Sequence, residues 1–310
     1  MVRKIGVLDQ SPISAGSSGG DALRRSIDLA RHCEALGYHR YWVAEHHATK
    51  MLACASPEVL IPAIAAATRT IRVGSGGVML PHYSPLKVAE TFGMLIGLYA
   101  GRIDLGVGRA PGTDPATAFA LQRDRRQAIP DDFPEQLDEL LARLRGMAER
   151  PDVWLLGSSP QSGLWAAELG LPYAFADFIN PHGAEIVARY RHESESPHVI
   201  VCGWALCAET DEEANRLASS ARMAFAKLLR GDPGPVPPVD EAMKFLAANG
   251  EAADALVRRR RWIVGSPATV KAGLNALADE YGADELMIVT ITHDHDARKR
   301  SYELIKDAVG

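Results

Sequence analysis

Residues 71–107 read IRVGSGGVMLPHYSPLKVAETFGMLIGLYAGRIDLGV and contain one complete strand–helix–strand repeat. Ile71–Gly74 and Ile103–Val107 are apolar runs of strand length, and Pro85–Tyr99 between them carries a longer amphipathic period of helical type. That alternation is the signature of a βα unit in a parallel sheet. It extends in both directions: Ile5–Leu8 and Arg40–Ala44 lie upstream, and Val153–Leu156, Tyr173–Ala176, His198–Ala208 and Glu285–Thr290 downstream, giving eight candidate strands. The remaining helical stretches are Asp21–Leu36, Pro57–Thr68, Asp131–Met147, Ser162–Leu169, His182–Tyr190, Asp211–Arg230, Pro267–Tyr281 and a last one from about Asp296 to Val309.

In the first helix Leu23, Ile27, Ala30 and Cys33 share one face, which suits a helix lying on a sheet. Thr210 with Glu213 predicts a capping box, and Ser266-Pro267 a cap residue followed by proline at the first helical position. Eight strands too apolar to be exposed on either face fit a (β/α)8 TIM barrel better than an open doubly wound sheet. The expected organisation is a single barrel over residues 1–310. Residues 231–262 do not fit the repeat: GDPGPVPPVD is followed by two helical-looking pieces, and an insertion near the seventh unit is expected to act as a lid with Gly/Pro hinges.

With 34 Lys and Arg against 39 Asp and Glu, the chain of 310 residues carries a net charge of −5, which argues against a nucleic-acid partner. The basic run Arg258–Arg261 reads as a solvated helix face. No apolar window reaches the length of a membrane span, and the short run Ile5–Leu8 is no signal-peptide core. Cys33, Cys54, Cys202 and Cys207 form no CxxC pair, so a reducing, cytoplasmic setting is expected.

A barrel of this kind builds its site from the loops after the strands. Gly157-Ser158-Ser159-Pro160-Gln161-Ser162 offers hydroxyls and backbone N–H groups at a helix start, which suits a phosphate, and Arg109 after Gly106 and Gly108 supplies a cation at a neighbouring strand end. Pro111 stands where a dinucleotide GxGxxG needs its third glycine, and Gln161 where a GxSxG nucleophile elbow needs its second. A phosphate ligand would therefore be a mononucleotide cofactor or a sugar phosphate. Glu45-His46-His47 could be a metal site or an acid/base group; adjacent histidines point apart in extended chain, and the reading preferred is one catalytic histidine with the other structural, and no metal. His293-Asp294-His295-Asp296 reads as a polar helix start, capped by Asp296, with solvated histidines. The glycine pair in Ser75-Gly76-Gly77 suggests an unusual backbone or a flat ligand pressed on the chain.

These loops, together with Tyr41–His47, Arg72–Pro81, Gly101–Arg109, Trp154–Ser162 and Gly265-Ser266-Pro267, resemble the bacterial luciferase-like family of flavin-dependent monooxygenases, in its single-subunit oxidoreductase branch. The likeness covers nearly the whole chain. It implies a barrel that binds reduced FMN (FMNH2) at its mouth and uses O2 through a flavin C4a-peroxide to oxygenate a small organic substrate. It implies further that His46 is the catalytic histidine, that Gly76-Gly77 forms a non-prolyl cis peptide beneath the flavin, and that Ser75 belongs to the same cofactor-binding run. Arg109 with Ser158, Ser159 and Ser162 would hold the phosphate. The expected partners are a separate NAD(P)H:flavin reductase, since the chain has no dinucleotide fingerprint, and a second copy in a homodimer. The rival readings are an F420-dependent oxidoreductase of the same superfamily and a non-catalytic flavin-binding protein.

Overall fold

The structure, a computed structural model, describes residues 4–110, 113–122 and 132–310. In chain order its elements are β1 (Lys4–Asp9), α1 (Gly19–Ala35), β2 (Arg40–Val43), α2 (Pro57–Ala67), β3 (Arg72–Met79), α3 (Pro85–Leu98), β4 (Ile103–Gly108), α4 (Pro115–Leu121), α5 (Phe133–Arg145) and β5 (Asp152–Gly157). There follow α6 (Pro160–Glu168), β6 (Tyr173–Ala176), α7 (Ala184–Glu193), β7 (Val199–Cys207), α8 (Asp211–Leu229), α9 (Val239–Val257), β8 (Trp262–Gly265), α10 (Pro267–Tyr281), β9 (Glu285–Val289) and α11 (His295–Val309).

Strands β1 to β7 pair in sequence, β7 pairs with β9 and β9 with β1, every pairing parallel, so eight strands close a (β/α)8 TIM barrel. These are the eight strands read from the sequence. The short β8 was not among them; it joins only the last residues of β7, Trp204–Cys207, after Ile200–Trp204 have paired with β9. Each strand serves two cores. Leu8, Trp42, Trp154, Ala174, Ile200 and Met287 fill the barrel interior, while their neighbours Val7, Tyr41, Val73, Leu155 and Val201 pack outward under the helices. Burial on both faces is why the strands lack polar alternation.

The barrel's lower end, at the N-terminal ends of the strands, is closed by charge. Arg40 donates to Asp104 at 2.6 Å and to Glu285 at 2.8 and 3.0 Å, and its guanidinium lies 4.8 Å from the Trp154 ring centre. Burial would raise the Glu285 carboxyl, but hydrogen bonds from His198 and Arg40 and the Arg40 charge bring it down to about 2.

Several local expectations change. Thr210 accepts the Glu213 N–H, but the Glu213 carboxylate turns to Arg216 at 2.7 Å, so the reciprocal half of a capping box is missing. Ser266 and Pro267 do stand at the N-cap and first position of α10 as read, but the Ser266 side chain makes no cap bond, and Asp211 takes its N–H at 2.6 Å. Helix α11 is capped by Asp294, not Asp296. His293 and His295 are not solvated: their Nε2 atoms lie 3.1 Å from the Ala15 carbonyl and 2.9 Å from Asp28. The run Arg258–Arg261 follows α9 instead of forming a helix face, and only Arg258 and Arg259 are exposed; Arg260 stacks on Phe225 and Arg261 pairs with Glu280 at 2.6 Å. Helix α4 was not read in advance. Asp131, Pro111 and Gly112 lie outside the described residues.

The departure from the repeat starts earlier than residue 231. Helix α8 packs chiefly against α9, and it is α10 that lies between α7 and α11 in the outer ring. Helix α9 breaks at Gly250, where φ is 42°, which accounts for two helical pieces in the sequence. The segment leading into it runs on the mouth side: Val236 is fully buried, donates to the Ile13 carbonyl at 2.7 Å and accepts from the Ala15 N–H at 2.8 Å. No described helix is long and apolar enough to cross a membrane, and the four cysteines are free and buried.

Candidate functional site

The loops at the C-terminal ends of the strands enclose a cavity of about 440 Å3. His46, Gly76, Gly77, Arg109, Ser158, Ser159 and Ser162 all line it, so residues from β3, from the loops after β2, β4 and β5, and from the start of α6 come together. Ser75 does not line it. Its side chain is fully buried and exchanges hydrogen bonds with Gly106, accepting from the N–H at 3.0 Å and donating to the carbonyl at 2.9 Å. Ser75 thus ties β3 to β4 beneath the site.

Gly76 and Gly77 are joined by a cis peptide bond. Space beside both glycines is short: a Cβ on Gly76 would stand 2.5 Å from Leu8 Cδ1 and 3.1 Å from Trp42 Cβ, and one on Gly77 2.9 Å from the Gly106 carbonyl oxygen. The result is a smooth backbone surface facing the cavity.

On one side of this surface stands His46. Its Nδ1 is buried without a hydrogen-bond partner, and burial, with the neighbouring His47, lowers the imidazole to about 4. Burial is the larger of the two causes, so the imidazole is held neutral. His47 is turned away and held at 2.6 Å by Glu45, which also accepts from Met79 N–H at 3.0 Å and Tyr83 hydroxyl at 3.1 Å. One histidine faces the cavity and the other is structural. Among the described residues no group of three or more His, Cys, Asp or Glu side chains is placed to hold a metal ion.

On the other side lies the start of α6. Ser159 caps it in a box with Ser162, whose hydroxyl also contacts the Tyr173 hydroxyl at 2.8 Å. Asn180 donates to the Ser158 carbonyl at 3.0 Å and so fixes the loop from the β6 side. Arg109 is exposed at the rim, its guanidinium 5.5 Å from the Trp165 ring centre. A helix N-terminus, hydroxyls and a guanidinium thus surround one opening, a set of groups with the chemistry an anion needs. Met79, Phe178, Ile179 and Trp165 are among the other lining residues, as is Gln10; apart from the position of Gln10 after a strand end, they carry no motif.

A closed parallel barrel with a histidine, a bare glycine floor and the start of α6 around one mouth cavity has its candidate site where the loops after the strands build it. The family model described as luciferase-like monooxygenase matches residues 3–285, and the chain belongs to that family. It is 42% identical to a luciferase-like monooxygenase of Escherichia coli (strain K12), over 97% of this chain and 95% of that one. It is 40% identical to apo-MsnO8, with a TM-score of 0.92 over 99% of this chain and 98% of that one. At 20% identity, a likeness of fold alone, it superposes with a TM-score of 0.78 on the oxygenating constituent of 3,6-diketocamphane monooxygenase of Pseudomonas putida in complex with FMN, covering 99% of this chain and 97% of that one.

Proposed function

We propose that the mouth cavity binds reduced FMN and that the protein is an FMNH2-dependent monooxygenase acting with O2 on a small organic substrate. The observation that carries this reading is the meeting of the start of α6, the bare Gly76-Gly77 floor and His46 in one cavity. The residues fit the cofactor: a phosphate suits Ser158, Ser159, Ser162 and Arg109, and a planar ring suits a floor without side chains. When bound, the reduced flavin supplies the electrons that activate O2.

The chain's own residues supply the rest. His46 is neutral, so its imidazole can hydrogen-bond to a bound ligand without carrying a charge. Glu45 and His47 keep the β2 loop fixed. Residues 1–310 act as one folded unit. The excursion through residues 231–262 serves as a cover that keeps water from the site, a role supported by the pairing of Val236 with Ile13 and Ala15. The reductant comes from a separate NAD(P)H:flavin reductase, since the loops have no dinucleotide fingerprint. The working form is a homodimer: Val59 on α2 and Met94 and Leu98 on α3 are 70%, 69% and 68% exposed on two helices that touch. The free thiols suit a cytoplasmic protein.

Anaerobic titration with FMNH2, reduced riboflavin and reduced F420 tests this reading. FMNH2 is expected to bind one per chain and more tightly than riboflavin, which lacks the phosphate. Tight binding of F420 with none of FMNH2 would replace the reading with a hydride-transfer enzyme.

A further inference from the structure

Gln10 is 7% exposed and lines the mouth cavity, yet among the described residues its side-chain amide makes no hydrogen bond. Everything around it is tied down. Asp9 accepts from the Tyr41 hydroxyl at 2.6 Å, from Arg298 at 2.7 Å and from the Ser11 N–H at 2.8 Å, and Ser11 accepts from Ala53 N–H at 2.9 Å. Ser11 is held at φ 50°, a left-handed conformation uncommon outside glycine, and such outliers concentrate at functional sites. The frame is rigid on both sides of a single unused amide.

The cavity around it is asymmetric. The proposed phosphate seat lies at the ends of β4 and β5 and the glycine floor on β3. Beyond the floor, in the loops after β1 and β2, stand Gln10, with its unused amide, and His46. The opposite wall, from β6 and β7, is apolar: Phe178, Ile179 and Cys202. A flavin ring has the same asymmetry, with a pyrimidine edge of N–H and carbonyl groups at one end and a dimethylbenzene edge at the other.

We infer that Gln10 is a positioning residue for the cofactor: its amide oxygen accepts from the flavin N3–H and its amide nitrogen donates to an adjacent ring carbonyl, which sets the pyrimidine edge toward β1 and β2. A primary amide offers the donor and acceptor side by side that this edge needs. The inference rests on FMN occupying the cavity as proposed above.

The test is anaerobic binding of reduced FMN and of reduced 3-methyl-FMN, which lacks the N3–H, to the wild-type protein, Gln10→Leu and Gln10→Met. Wild type should prefer FMN over 3-methyl-FMN by about five- to tenfold, and both variants should lose that preference, with FMN affinity falling by the same factor. Equal loss of both flavins in a variant would assign Gln10 a purely structural role and overturn the inference; so would unchanged FMN affinity in both. Failure of the wild type to bind FMN at all would instead remove the proposed function. Melting temperatures of the ligand-free proteins show whether either variant is misfolded, in which case the other decides.

Discussion

His47 Nε2 lies 2.6 Å from Glu45 Oε1, while Nδ1 of the preceding His46 is buried without a partner. One step along the chain separates a histidine used up by the fold from one left for chemistry. His46→Ala is therefore expected to lower turnover about 100-fold while leaving FMNH2 affinity within a factor of a few. His47→Ala is expected to lose stability, on the order of 1–3 kcal/mol, because the buried Glu45 carboxylate loses a partner. Rapid-mixing kinetics and urea unfolding separate the two effects; a loss of flavin binding in His46→Ala would reassign that residue to the cofactor.

The same histidine makes a prediction about pH. Its imidazole titrates at about 4 in the folded protein against an ordinary 6.5, so the unfolded chain takes up the proton first as pH falls. The stability that depends on keeping it neutral is complete above pH 6.5 and is lost between 6.5 and about 4, with a total on the order of 3 kcal/mol. Urea midpoints measured at intervals from pH 7.5 to 4.5 should fall more steeply for the wild type than for His46→Leu. Parallel curves would show that His46 is not held neutral.

Gly76 and Gly108 both border the cavity but differ in the space beside them. A methyl at Gly76 would stand 2.5 Å from Leu8 Cδ1 and 3.1 Å from Trp42 Cβ, whereas one at Gly108 would meet nothing closer than 3.8 Å. Gly76→Ala should cost about 1–3 kcal/mol in unfolding free energy and weaken flavin binding, and Gly108→Ala should stay within about 0.5 kcal/mol of wild type. Similar stabilities for the two variants would show that the floor can yield.

Met94 and Leu98 lie four residues apart on α3, both largely exposed, next to exposed Val59 on α2. Met94→Glu combined with Leu98→Glu should convert a dimer into a monomer in light scattering, with little change in thermal stability of the protomer. A wild-type monomer at micromolar concentration would remove the assigned interface.

Much of this architecture was legible because barrel strands buried on both faces leave uninterrupted apolar runs, as in β7, whose nine residues are all buried. Helix α8 was harder to place, since an amphipathic face looks the same whether it covers the barrel or packs on α9. Cap choices also escaped: Asp294 and Asp296 look equivalent by sequence, and it is Asp294 that accepts the Ala297 N–H. Within the site, residues in punctuated loops, such as the glycine pair, Arg109 and the serines before α6, were readable by type. Ser75 has the same polar side chain as Ser158, yet its place one residue earlier in β3 turns it into the barrel wall against Gly106. Gln10 and Phe178 carry no pattern, and only closure of the barrel brings them to the same cavity.

A crystal structure of the protein soaked with FMN tests the account most directly. It predicts the phosphate between Arg109 and the N-terminus of α6, in contact with Ser159, and the ring lying on Gly76-Gly77 within reach of His46. A phosphate seated instead at the ends of β7 and β9, or a ring that leaves the glycine floor bare, would contradict it.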